Sequence, residues 1–212
     1  MGNKKEAMSI EKMIDDLEKD LKTNPKSVIA HHRLALAYWK AGRIEDAINT
    51  FKKALVIDPY SFEIRINLGA IYFQTGQLEK GIEENKEALK IYPNAAEAMA
   101  NIGAAYVQLE NWKEAEKYFK KALEVKPEMI PALTNLTTVL VELGDFEGAV
   151  KYAQKAVSLA PTFGLAHNNL AVAYYYKGEI EKAKEHVKRA EELGYQVMDE
   201  FKQKLEKAQV QK

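Results

Sequence analysis

The 212-residue chain has no cysteine, and it carries no net charge, with 31 Lys and Arg against 31 Asp and Glu. The missing cysteine excludes disulfides, zinc–thiolate centres and thiol catalysis. The charge balance removes the usual argument for a nucleic-acid partner, because neutralising phosphates needs a local excess of Lys or Arg. Arginine is scarce, confined to Arg33, Arg43, Arg65 and Arg189, so the charge is mainly that of Lys and Glu, as on long solvated helices. No apolar run approaches the roughly 18 residues that a membrane span needs. The opening MGNKKEAMSIEKMIDD lacks the apolar stretch of a signal peptide. Glu6 stands where a myristoylation motif wants Ser or Thr. A soluble, cytoplasmic chain without a membrane partner is expected.

Catalytic and cofactor signatures are missing too. The histidines are His31, His32, His167 and His186, and none sits in an HExxH or comparable spacing. Glycines fall at helix ends rather than in a phosphate-binding loop. The reading is therefore of a protein that is not an enzyme, with no cofactor and no metal. The sequon at Asn135 falls inside a helical pattern and should stay unmodified.

What the sequence does contain is a period. Prolines stand at 25, 59, 93, 127 and 161, each 34 residues after the last, with Tyr195 at the next place and only Pro131 outside the series. Fixed-period similarity marks a stacked-repeat architecture. The other columns keep the same step. Small residues occupy one column at Ala47, Gly81, Ala115, Ala149 and Ala183, and another at Ala54, Ala88, Ala122, Ala156 and Ala190. Large ones recur at Leu34, Leu68, Ile102, Leu136 and Leu170, and at Tyr38, Tyr72, Tyr106, Leu140 and Tyr174. Small residues let two helices approach, and large ones fill the space between. Gly42, Gly76, Gly144 and Gly178 mark the turns inside each pair, and Glu110-Asn111 replaces glycine in the third, where Asn would take the left-handed backbone.

These residues resemble the tetratricopeptide repeat over about 9–198. The resemblance implies an all-α, right-handed superhelical solenoid of stacked antiparallel helix pairs. We read a single solenoid domain: an N-terminal half-repeat helix at 9–27, full repeats at 28–61, 62–95, 96–129, 130–163 and 164–197, and a capping helix at 198–212. First helices are expected near 28–41, 62–75, 96–109, 130–143 and 164–177, and second helices near 44–57, 78–91, 112–125, 146–159 and 180–193. Ser9 is the expected N-cap of the leading helix, whose apolar face is Ile10, Met13, Leu17 and Leu21. Met198, Phe201, Leu205 and Ala208 form that of the last.

In this family the first helices line a concave groove, so the resemblance implies a protein or peptide partner held there. Two columns are the candidates. Asn67, Asn101, Asn135 and Asn169, with Arg33 leading, share one helical phase. A carboxamide can pair with a backbone C=O and N–H together. With helices about 10 Å apart and a strand advancing about 3.3 Å per residue, each would meet about every third residue of a bound chain. This resembles the asparagine ladder of the O-linked N-acetylglucosamine transferase superhelix, and the same residues could instead bridge neighbouring helices. The second column is apolar: Trp39, Phe73, Val107, Val141 and Tyr175, supported by Leu36, Ile66, Val172 and Tyr176. Of the positions that grip acidic chaperone tails in related clamps, only Asn67 fits among His32, Leu36, Asn67, Glu97 and Asn101. An adaptor for a protein or peptide partner is the leading expectation. Self-association through a terminal helix in the groove is the alternative.

Overall fold

A computed structural model describes the backbone of residues 2–210 and the side chains of 9–208. All regular structure among these residues is helical, in twelve helices that divide between two compact units, 1–101 and 102–212. The first unit contains α1 (Gly2–Thr23), α2 (Val28–Lys40), α3 (Ile44–Ile57), α4 (Phe62–Gln74), α5 (Leu78–Ile91) and the start of α6 (Ala96–Gln108). The second holds the rest of α6, α7 (Trp112–Val125), α8 (Ile130–Glu142), α9 (Phe146–Leu159), α10 (Gly164–Lys177), α11 (Ile180–Glu192) and α12 (Asp199–Val210). Every expected helix is present in its place, and α2 with α3, α4 with α5, α8 with α9 and α10 with α11 pack as helix pairs.

The columns explain the packing. Ala47, Ala54, Ala88, Ala115, Ala122, Ala149, Ala156, Ala183 and Ala190 have no exposed surface at all. Facing them, Leu34, Leu68, Ile102, Leu136 and Leu170 are buried, each contributing about 1.5–3 kcal/mol by leaving water. The second helices end before the prolines, which cannot continue them. Ser27 Oγ accepts from Ala30 N to cap α2, and Asp145 Oδ1 from Gly148 N to cap α9.

Four local expectations need correction. The leading helix begins at Gly2, so Ser9 lies inside it and is not its N-cap. Met13 is 47% exposed while Ile14 is buried, because the contact stripe steps 10, 14, 17, 21. At the other end Met198 precedes α12 and is exposed, and Val197 takes the buried place beside Phe201 and Leu205. In the third turn Glu110, not Asn111, adopts the left-handed backbone, with φ +54°. Asn111 instead caps α7 by accepting from Glu114 N at 3.3 Å.

The second repeat departs from the others in an ordered way. Phe51 and Phe119 are fully buried, and the same column holds Asn85 with equally little exposure. Its amide donates to the Gly81 carbonyl at 2.8 Å, and its oxygen accepts from Asn101 Nδ2 at 3.3 Å. A Cβ on Gly69 would lie 2.1 Å from Asn85 Nδ2, so glycine makes room for the buried amide. The polar core residue is fully satisfied.

Two measurements follow from this packing. Glu110→Gly should stabilise the chain by about 1 kcal/mol in urea unfolding, because an L side chain at positive φ costs roughly 1–2 kcal/mol and glycine costs some of that back in chain entropy. Tyr38 packs between α1 and α2, and its hydroxyl donates to Glu18. Burial, and then that hydrogen bond, push its pKa up to about 12. The folded state therefore favours the protonated phenol. The stability it contributes is whole below the ordinary tyrosine value near 10 and is lost as pH rises from there through about 12. Tyr38→Phe should flatten that alkaline fall in a pH series of urea melts.

Candidate functional site

In the first unit the asparagine column is braced. The half-buried Asn67 amide lies 2.9 Å from His32 Nε2, tying α4 to α2. Burial lowers the His32 pKa, against a smaller opposing pull from Glu63, so the ring favours its neutral form and can accept the amide N–H. Asn101 reaches Asn85 on α5, as described above. Arg33 is exposed, beside a cleft of about 300 Å³ between α1 and α2 that it shares with Ile29 and Asp20.

The apolar candidates of this unit are engaged as well. Trp39 is half-buried against the core, and its Nε1 donates to Gln74 Oε1 at 2.6 Å. Phe73 lays its ring over Gly81, where a Cβ would come within 2.3 Å of Cε1. Ile66 packs with Phe62 and Leu89 on the Ala88, Ala95 and Ala98 cluster. Leu36 is 37% exposed.

In the second unit Asn169 Nδ2 donates to the Thr134 carbonyl at 3.1 Å, linking α10 to α8. Asn135 differs: it is exposed, and its amide has no hydrogen-bond partner among the described residues. Val107, Val141 and Val172 are half-buried. Tyr175 meets Phe201 of the terminal helix edge-on at 5.5 Å, so α12 covers part of its ring. Tyr176 is 48% exposed and stacks on Phe146.

The residues that hold the column, His32, Asn85, Gln74 and the Thr134 carbonyl, carry no periodic sequence signal. Asn85 is the polar member of a column that holds Phe51 and Phe119 in neighbouring repeats. An Asn amide has two N–H donors and one acceptor. The bracing bonds use one donor each, leaving an N–H and, in Asn67 and Asn101, the oxygen, now fixed in direction. No three His, Asp or Glu side chains gather to hold a metal among the described residues. His167 Nδ1 lies 3.0 Å from His186 Nδ1 and its Nε2 donates to the Pro161 carbonyl, so both rings are spent on packing α10 to α11.

The Phe73–Gly81 contact generates a coupling. Gly81→Ala alone should cost stability, or turn the ring out, because the new methyl overlaps it. In a Phe73→Ala background the same change should stabilise by about 0.5–1 kcal/mol, the helix propensity of Ala over Gly. Urea melts of the four proteins measure the cycle. Equal effects in both backgrounds would mean that the ring does not rest on Gly81.

Tetratricopeptide-repeat profiles match residues 60–128, 140–205 and 28–50, and a TPR-repeat profile matches 40–76. No curated protein matches the chain by sequence. Among solved structures it resembles the MamA protein at 23% identity and TM-score 0.70, covering 82% of this chain and 98% of that one. It also resembles YrrB, described as a TPR protein with an unusual peptide-binding site, at 22% identity and TM-score 0.68, over 84% and 91% of the two chains. PilF of Pseudomonas aeruginosa aligns at 23% identity and TM-score 0.72, over 80% and 78%. No helix among the described residues is long and apolar enough to cross a membrane. With the 34-residue period, the buried alanine columns and these matches in agreement, the chain belongs to the tetratricopeptide-repeat family.

Proposed function

We propose that this protein is a non-catalytic interaction module whose first-helix faces hold an extended segment of a partner protein through its backbone. The observation that carries this reading is Asn135, an exposed carboxamide without a partner among the described residues, in a column whose other members are held in direction by neighbouring helices. A braced amide loses less conformational freedom on binding, so more of its hydrogen-bond energy appears as affinity. Leu36 in the first unit and Tyr176 in the second each leave apolar surface exposed on a first helix. YrrB, similar in fold, carries a peptide-binding site of its own.

The two roles of the column separate by mutation. Panning a display library of ten-residue peptides on the full chain provides a ligand, and calorimetry measures it. Asn135→Ala should weaken that peptide by about 1–3 kcal/mol and leave the melting curve unchanged. Asn101→Ala should also lower stability, because it removes the donor that satisfies buried Asn85. Peptides of unlike sequence should lose affinity together on Asn135→Ala, as backbone recognition requires. Normal binding by that variant would remove the reading. Mass growth with concentration in light scattering, without peptide binding, would favour self-association instead.

A further inference from the structure

On five helices among the described residues, α1, α5, α7, α11 and α12, a lysine pairs with a carboxylate three or four residues away. Lys19–Asp16, Lys117–Glu114, Lys182–Glu179 and Lys204–Glu200 are such pairs. Helix α9 differs from those five. Lys151 and Lys155 stand four residues apart on one face, both exposed, and neither has an ion-pair partner among the described residues. For Lys155 the helical neighbours at 151, 152, 158 and 159 are Lys, Tyr, Ser and Leu, so its own helix supplies no carboxylate. For Lys151 the one available is Glu147, which instead pairs with Lys177 at 3.0 Å. Two like charges at this spacing repel and lower helix stability slightly.

The two lysines do not stand on a flat surface. They edge a cleft of about 500 Å³ within the second unit, formed by α7, α8 and α9. Lys120 contributes a third ammonium from α7, already paired with Glu116, and Glu124 is the single carboxylate on the rim. The hydrogen bond to Glu116 is the main cause that raises the Lys120 pKa; Asp145 adds a weaker pull and is itself occupied in capping α9. The floor is apolar, made of Leu123 and fully buried Leu133, with half-buried Tyr152 as a wall. The positive excess is therefore local to the α9 edge, directly beside an apolar hollow.

We infer that this cleft is a second docking site, for an acidic peptide segment that lays carboxylates on Lys151 and Lys155 and inserts an aliphatic side chain between Leu123 and Tyr152, above the buried Leu133. Charge complementarity selects the occupant. Carboxylates would relieve the Lys151–Lys155 repulsion, while Glu124 on the opposite rim repels them and so orients the segment toward α9. The site lies chiefly on second helices, so it is separate from the first-helix amides and does not depend on them.

The test uses the full chain and a fluorescein-labelled heptapeptide with four glutamates around one leucine, read by anisotropy. Saturable binding is expected, weakening several-fold between about 50 and about 200 mM salt as exposed charges are screened. Lys151→Gln with Lys155→Gln should weaken it about tenfold, the equivalent of about 1.4 kcal/mol. Thermal melting should hold or rise, since both side chains are exposed and repel each other. The glutamine counterpart of the peptide should not bind, and Asn135→Ala should leave the glutamate peptide's affinity unchanged. Absence of saturable binding would overturn the inference, as would equal affinity for the glutamine peptide or for the double variant. So would an oligothymidylate that binds where the glutamate peptide does not, since that would make the cleft a nucleic-acid contact.

Discussion

Everything in this fold depends on how closely two helices can approach, and alanine sets that distance. A side chain of one carbon lets the backbones of a pair come near enough for Leu or Ile on one helix to fill the hollow of the next. The fully buried alanines at 47, 115, 149 and 183 and at 54, 88, 122, 156 and 190 mark these contacts. Within each unit the contacts are local in sequence, made within one period or with the next, rather than by long-range closure. The ends of such a core are its weak points. Here α1 covers the first repeat with Ile14 and Leu17, and α12 contributes Phe201 and Leu205 at the other end.

The second repeat shows the same constraint met by other means. Where the column has Gly81 in place of alanine, Phe73 moves its ring into the vacated space. Where it has Asn85 in place of phenylalanine, Gly69 makes room, and two hydrogen bonds satisfy the buried amide. The compensation is chemical as well as steric. A polar group without water must be paired or it costs about 1–3 kcal/mol, and the partner that pairs it is one of the candidate binding asparagines. Asn101 is therefore both a candidate contact and a brace of the core.

That overlap shapes the candidate surface. Asn67, Asn101, Asn169, Trp39 and Phe73 each make a contact inside their unit that positions them without burying them fully. The candidates are thereby held in direction within each unit, and Asn135, Arg33 and Tyr176 are among the most open of them. The lysine edge of α9 follows a different logic, an uncompensated charge above an apolar floor.

The repeat length, the helix order and most buried columns could be read from the amino-acid sequence, because a 34-residue period repeats the same physical demand in each repeat. Proline ends a helix, glycine turns it, and alanine admits a neighbour wherever they stand, so identity at fixed spacing was enough. The phase of the terminal helices could not be read so well. With only one copy of each, Met13 and Ile14 satisfy helical spacing almost equally, and only contact with α2 selects Ile14. Glu110 against Asn111 was likewise decided by the turn that the flanking helices impose, since propensity favours Asn. The sequence showed four asparagines in one column and could not show that three are tied to His32, Asn85 and the Thr134 carbonyl while Asn135 is not. Those bonds join residues 16 or 35 positions apart through partners that do not repeat, so only the packed helices determine which amide stays open.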